Sequence, residues 1–307
     1  MQVQTHWQGL KPTARGASVA MGNFDGVHLG HQAVIDLARP HGPLGIVTFT
    51  PHPREYFLPD GADFRLMNPE TRANRLAKLG VQQLYQLPFD AAMASFSPEE
   101  FVRLVLVEGL GIAHVVVGAD FCFGRGRAGK AADLQALGVK YGFGVTIAEL
   151  VNFAQAAISS TAIRTALAEG RPRDAKDMLG HWHRIDGEVI HGEKRGRELG
   201  YPTANMSVSG LHLPRLGVYA VKVDILTGPQ IGSYLGAASL GVRPMFGVNK
   251  PNLESFIFDF KGDLYGHHLS IGLVDYLRPE MKFDGLPGLL DQMARDCDQA
   301  RAILAAL

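Results

Sequence analysis

Hydrophobic periodicity changes character about 180 residues into the chain, and that change limits the fold more than any single motif does. Before it, residues 17–24, 45–49, 82–87, 113–117 and 144–150 read as strands, several of them continuous apolar runs without polar alternation, as expected of strands buried on both faces. Helix starts lie between them. Asn68-Pro69-Glu70 offers a capping amide followed by proline at the first helical position, and Ser97-Pro98-Glu99-Glu100 adds a capping-box glutamate. Phe101, Leu104 and Val105 then share a helical face. Such alternation predicts a mostly parallel sheet covered by helices. After the change, residues 185–190, 217–226, 235–240, 253–260 and 269–277 read as strands in succession. Tyr219, Val221, Val223 and Ile225 alternate with Lys222 and Asp224, a period of two. Strands without intervening helices predict an antiparallel sandwich or small barrel. Leu286, Leu289, Leu290, Met293, Ile303 and Leu304 restore helical spacing at the end. The boundary falls at 179–184, giving domains 1–181 and 182–307, without a low-complexity linker or internal repeat.

Thirty basic residues balance thirty acidic ones, so nothing in the overall charge calls for nucleic acid or an anionic membrane. No apolar run reaches the roughly 18 residues of a membrane span, and the opening M-Q-V-Q-T-H-W-Q lacks the pattern of a secretory signal. Cys122 and Cys297 are the only cysteines and lie far apart. A reducing cytoplasm is the expected location. The sequence carries no signal of oligomeric state.

Two motifs bear chemistry. Residues 22–31 read G-N-F-D-G-V-H-L-G-H. Gly22, Asn23, Phe24, Asp25 and Gly26 would close the first strand, and a helix is expected from Val27 onward. Its free amides and positive end suit an anion. His28 and His31, three apart, would share a face there and could hold a triphosphate. A capped turn with two surface histidines is the simpler alternative.

The second motif, residues 191–205, reads H-G-E-K-R-G-R-E-L-G-Y-P-T-A-N. Gly192, Gly196 and Gly200 punctuate a loop with Lys194, Arg195 and Arg197, able to fold over a polyphosphate, although it is not the Walker pattern. Thr203 and Asn205 alternate, so in an extended segment they point the same way, and their oxygens suit magnesium. A basic surface turn is the other reading. Glu254 opens a strand with Phe256, Phe258 and Phe260 on its face, which is expected to look inward. A carboxylate so placed needs partners or an open mouth and becomes a candidate general base; a solvated glutamate at the strand's start is the alternative. Ser159 and Ser160 can cap a helix whose apolar face is Ile163 and Leu167.

The first motif is similar to the H-x-G-H signature of nucleotidyltransferases. Its longer form resembles the start of bacterial bifunctional riboflavin kinase/FAD synthetases. T-F-T-P-H-P-R-E (48–55), L-P-F (87–89), V-G-A-D-F-C-F-G (117–124) and I-S-S-T-A-I-R (158–164) agree. So do P-T-A-N (202–205), G-V-Y-A-V (217–221), Gly241-Val242-Arg243-Pro244 and L-E-S-F-I-F-D-F-K-G-D-L-Y-G (253–266). The resemblance spans nearly the whole chain. It implies an N-terminal Rossmann-like nucleotidyltransferase domain and a C-terminal closed antiparallel β-barrel with a terminal helix. It implies ATP-dependent phosphorylation of riboflavin to FMN and adenylylation of FMN to FAD, with Mg2+ at both steps.

By resemblance, His28 and His31 meet the ATP phosphates. Gly22, Asn23, Phe24, Gly26, Ser160 and Thr161 line the nucleotide site, with Arg164 as a cationic clamp. Asp120, Phe121 and Phe123 are expected on the flavin side, although core packing is the commoner aromatic role; His52 is similar. Thr203 and Asn205 hold metal and ATP, Gly192, Arg197 and Gly200 shape the phosphate loop, and Glu254 takes the proton of the ribityl 5′-hydroxyl. Arg278 contacts flavin or nucleotide, or forms a surface ion pair. Departures from the pattern are Met245, Val242, Ala156-Ala157 and His181-Trp182-His183. Rival readings are a chain with one active module, a non-catalytic flavin sensor, and a nucleotidyltransferase for another phosphorylated substrate.

Overall fold

The computed structural model describes residues 1–149, 158–192, 200–245 and 248–307, excepting the side chains of 243–245 and 248–250. The chain packs as two compact units, Met1–Ala62 with Arg72–Ile158, and Asp63–Thr71 with Ser159–Leu307.

The first unit is built on a six-stranded sheet in the order β1-β4-β3-β2-β5-β8. Its strands are β1 (Gln2–Gln4), β2 (Ser18–Met21), β3 (Leu44–Thr50), β4 (Gln83–Pro88), β5 (His114–Gly118) and β8 (Gly144–Ala148). Every pairing is parallel. β6 (Cys122–Phe123) and β7 (Gly129–Lys130) form a separate antiparallel ribbon. The apolar runs therefore became strands as expected, because Val19, Ala20, Ile46, Val47, Leu84, Val115 and Val116 are buried on both faces of the sheet. The chain moves outward from β2 to β3 and β4, then returns to β5 on the other side of β2. That reversal puts the ligand crevice of such folds at the carboxyl ends of β2 and β5, where Gly22 begins.

The serine cap formed as read: Ser97 N donates to Glu100 Oε2 at 2.8 Å, and Glu100 N to Ser97 Oγ at 3.3 Å. The following run, Phe101–Leu110, is wound as a π-helix. Its i→i+5 bonding turns Phe101, Val102, Val105 and Leu106 into the core and leaves Leu104 half-buried.

The second unit holds an antiparallel sheet in the order β10-β13-β12-β11-β14-β9. The strands are β9 (His183–Glu188), β10 (Thr203–Ser207), β11 (Gly217–Ile225), β12 (Gly232–Met245), β13 (Val248–Ile257) and β14 (His268–Arg278). Its two edges meet where Ile190 N donates to Asn205 O at 2.9 Å, which closes the barrel. Ile185, Met206, Val221, Val223, Leu240, Leu253, Ile257 and Ile271 fill the interior. Ala220, Ala237, Phe258 and Val274 form an outer layer beneath Ala300 and Leu304 of the C-terminal helix Leu286–Ala305.

This reverses one expectation. Glu254 shares its face with Phe256 and Phe258, but that face looks outward, toward the helix, while Leu253 and Ile257 look in. Both faces of β13 are apolar because both are covered, so alternation alone could not say which was inside. The sequence also gave no sign that residues 63–71 join this unit. Leu66 packs with Ile163, Ala166, Leu167, Ala175 and Leu179, and Asn68 Nδ2 donates to Asp186 O at 2.7 Å.

Candidate active sites

In the first unit, Gly22 N donates to Val47 O at 3.1 Å, which keeps the loop after β2 against β3. The Asn23 carbonyl accepts from Thr48 Oγ1 at 3.2 Å and from Arg72 Nη1 at 3.1 Å. Those bonds hold the backbone while the Asn23 side chain stays exposed. Thr48 opens the segment 48–55 quoted above, whereas Arg72 belongs to no motif; a buried arginine distant in sequence carries no local signal. Phe24 (φ 52°), Gly26 (φ 87°) and Val27 (φ 44°) are left-handed. For β-branched Val27 this is a true outlier. Such strain costs on the order of 1–3 kcal/mol per residue, and here the full burial of Phe24 and Val27 holds it.

The helix expected from Val27 begins instead at Leu29 and runs to Ala38. Val27 cannot start it from a left-handed backbone. His28 is the cap: it is extended, and its Nδ1 accepts from His31 N at 3.2 Å. The two imidazoles stack with centroids 3.6 Å apart and planes 14° apart, and Phe24 meets His31 edge-on at 5.3 Å. His28 is 8% exposed, and burial pushes it down to about 4. His31 is held well below the usual histidine range by burial and then by His28. Among the described residues its buried Nδ1 has no hydrogen-bond partner. The pair is thus neutral near pH 7, and an arriving anion would favour its protonation. Gly30 leaves room for the stack, since a Cβ there would lie 3.2 Å from the His28 ring.

The remaining residues of the first motif set lie on other elements. Asp120 is exposed in the turn after β5, Phe121 is half-buried, and Phe123 is a core residue, stacked on Phe121 at 5.9 Å and tilted against Phe101 at 5.9 Å. His52 caps the short helix Pro53–Phe57, its Nδ1 accepting from Arg54 N at 3.0 Å. Ser160, Thr161 and Arg164 belong to the second unit. There Ser159 caps the helix Ser160–Ala168 by accepting from Ala162 N at 3.1 Å. Ser160 is half-buried and Thr161 exposed. Arg164 Nε donates to Phe64 O at 2.6 Å, with its guanidinium over the Phe64 ring.

On the barrel, Asn205 lies directly opposite Glu254, and Thr203 opposite Phe256. Thr203, Asn205 and Glu254 therefore share the outer face. Asn205 is buried, and Thr203 and Glu254 are half-buried. Gly192 lies close behind, where a Cβ would come within 2.6 Å of Asn205 Nδ2. Gly200 has a left-handed backbone, φ 84°. Arg197, with Lys194, Arg195 and Gly196, lies outside the described residues, as do Ala156, Ala157 and the Met245 side chain. Arg278 turns away from solvent: Nε and Nη2 fork onto Asp296 at 2.7 to 3.0 Å, and Nη1 reaches Pro279 O at 2.9 Å. Asp296, on the C-terminal helix, is 4% exposed and the Arg278 side chain half-buried, so the pair is held between helix and barrel rather than free on the surface.

Residues 10–162 match the family model described as FAD synthetase, and residues 179–304 the one described as riboflavin kinase. A bifunctional riboflavin kinase/FMN adenylyltransferase of Pseudomonas fluorescens is 40% identical over 99% of this chain and 98% of its own. This chain belongs to that family. A relative of the same description from Listeria monocytogenes is also 40% identical, covering 94% of this chain and 93% of its own. A crystal structure described as a macrolide-efflux protein from Streptococcus pneumoniae superposes with a TM-score of 0.80 at 32% identity, covering 98% of each chain. Among the described residues, no helix is long and apolar enough to cross a membrane.

Proposed function

We propose that the family's two ATP-dependent reactions use separate residue sets in this chain, adenylyl transfer in domain 1–181 and phosphorylation in domain 182–307. The chain carries both modules, and it is a riboflavin kinase and an FMN adenylyltransferase. Its substrates and products are riboflavin, FMN, FAD and ATP. The cytoplasm is the proposed location.

In the kinase reaction, Glu254 takes the proton of the ribityl 5′-hydroxyl, and that oxygen attacks the γ-phosphorus to give FMN and ADP. The observation that carries this reading is the direct cross-strand opposition of Glu254 and Asn205. It sets a base beside a hydroxyl and an amide oxygen on one face. That oxygen set fits Mg2+, which prefers hard ligands, and Thr203 and Asn205 would hold it. Bound there, Mg2+ would neutralise phosphate charge. Gly192, Gly200 and Arg197 are proposed for the phosphate loop, and Arg278 for positioning the flavin side through Asp296.

In the adenylyl reaction, an FMN phosphate oxygen attacks the α-phosphorus of ATP and pyrophosphate leaves. No side-chain nucleophile is needed; positioning and charge stabilisation do the work. The stacked His28 and His31 donate to the polyphosphate and gain charge as it arrives. Gly22, Asn23, Phe24 and Gly26 shape the loop beside them. Ser160, Thr161 and Arg164 are proposed as further phosphate ligands, and Asp120 and Phe121, with Phe123 beneath, as the flavin side.

Flavin chromatography tests the assignment. Glu254→Ala should stop FMN formation from riboflavin while FMN still becomes FAD; His28→Ala with His31→Ala should do the reverse. Loss of both reactions in both folded variants refutes it.

A further inference from the structure

No motif singled out Asn252. It lies on β13 two residues before Glu254, on the same outer face, opposite Ser207 of β10 and Gly241 of β12. It is 9% exposed. Its Nδ2 donates to Asn205 Oδ1 at 2.8 Å, and among the described residues its own buried Oδ1 has no hydrogen-bond partner.

The amide orientations follow from chemistry. Asn205 Nδ2 faces the Thr203 carbonyl at 3.3 Å, and a carbonyl can only accept. Asn205 therefore turns its oxygen toward Asn252, which must answer with its nitrogen, and the orphaned atom on Asn252 is an oxygen. Gly192 closes the remaining side, leaving no space for a Cβ near Asn205 Nδ2. Asn205 is thus held at three points, with one lone pair of Oδ1 still free for a ligand. A leucine of similar size at 252 would leave no buried carbonyl unpaired there. Among the described residues the asparagine side chain makes one hydrogen bond, and it makes it to the residue proposed to hold metal.

We propose that Asn252 is a positioning residue of the kinase site, fixing the Asn205 carbonyl oxygen for the cation that accompanies ATP. This rests on the reading of Asn205 as a metal ligand given above. Partners that orient a metal ligand typically change metal affinity or activity about 10–100-fold when removed.

The test uses the full chain and three variants: Asn252→Leu, Asn205→Ala and the double. FMN formation is measured against Mg2+ concentration, with FMN-to-FAD conversion as the internal control. Mn2+ binding with ADP, followed by the paramagnetic signal of free Mn2+, gives a readout independent of turnover. Asn252→Leu should raise the Mg2+ needed for FMN formation about 10–100-fold, weaken one class of Mn2+ site, and leave FAD formation and the urea midpoint unchanged. The double variant should be no worse than Asn205→Ala. An unchanged Mg2+ and Mn2+ response in Asn252→Leu, or a fully additive double variant, overturns the proposal. Full FMN formation by Asn205→Ala would instead overturn the ligand reading itself. Should Asn252→Leu lose FAD formation too, Asn252→Ala, which removes the donor without adding apolar bulk, is judged by the same criteria.

Discussion

Replacing His183 by leucine should flatten the acid side of the second unit's stability profile. His183 opens β9 opposite Leu273, is 1% exposed, and has a buried Nδ1 with no hydrogen-bond partner. Burial pushes its imidazole from 6.5 down to about 3, with the neighbouring His181 and then His212 acting in the same direction. The unfolded chain takes up this proton as the pH falls through 6.5, and the folded chain resists it until about 3. The stabilisation is therefore complete above pH 6.5 and is lost on acidification by roughly 1.4 kcal/mol per pH unit. By about pH 4.5 the loss reaches roughly 2.7 kcal/mol, a large share of a typical margin of about 5–15 kcal/mol. Asp259, lowered from 3.8 by its hydrogen bond to Arg301, titrates below this window. Trp182, adjacent in sequence, is the reporter; with Trp7→Phe it is the only tryptophan left of the two. Urea midpoints followed by its fluorescence should fall more steeply with acid in the parent than in His183→Leu. Parallel slopes between pH 6.5 and about 4.5 would refute the account of a buried neutral imidazole.

Three other outcomes can be checked with the same preparations. Asp296→Ala strands the half-buried Arg278 guanidinium and should destabilise the barrel by about 1–3 kcal/mol, read by urea unfolding, with Asp296→Asn milder. Gly30→Ala places a Cβ 3.2 Å from the His28 ring and must displace the stack by a few tenths of an ångström. FAD formation should fall on the order of tenfold, short of the roughly hundredfold cost of a 1 Å misplacement, with FMN formation unaffected. Arg72→Met frees the Asn23 carbonyl of one charged donor; it should cost about 1–3 kcal/mol in thermal unfolding and lower FAD formation without touching the kinase rate.

Local rules worked where the cause was local. The Ser97 capping box needs only residues three apart, and it formed. The apolar runs of β3 and β5 could be read because a strand buried on both faces shows little polar alternation. The alternation in Thr203 and Asn205 rightly put both side chains on one face. The reading failed at Val27, where helix propensity along the chain said nothing of a left-handed turn locked by burial. It also failed for Glu254, whose strand is covered on both sides.

The order of residue types was enough to decide that a parallel, helix-covered sheet precedes an antiparallel barrel, and to mark H-x-G-H and P-T-A-N as candidates for phosphate chemistry. Packing between distant segments decided the rest: that Glu254 lies opposite Asn205 on the outer face of the barrel, that Arg72 holds the Asn23 carbonyl, and that Asn252 donates to Asn205. Periodicity reports how often a side chain is buried. Only the folded chain says against what, because hydrogen bonds between residues tens of positions apart leave no regular trace in the order of the letters.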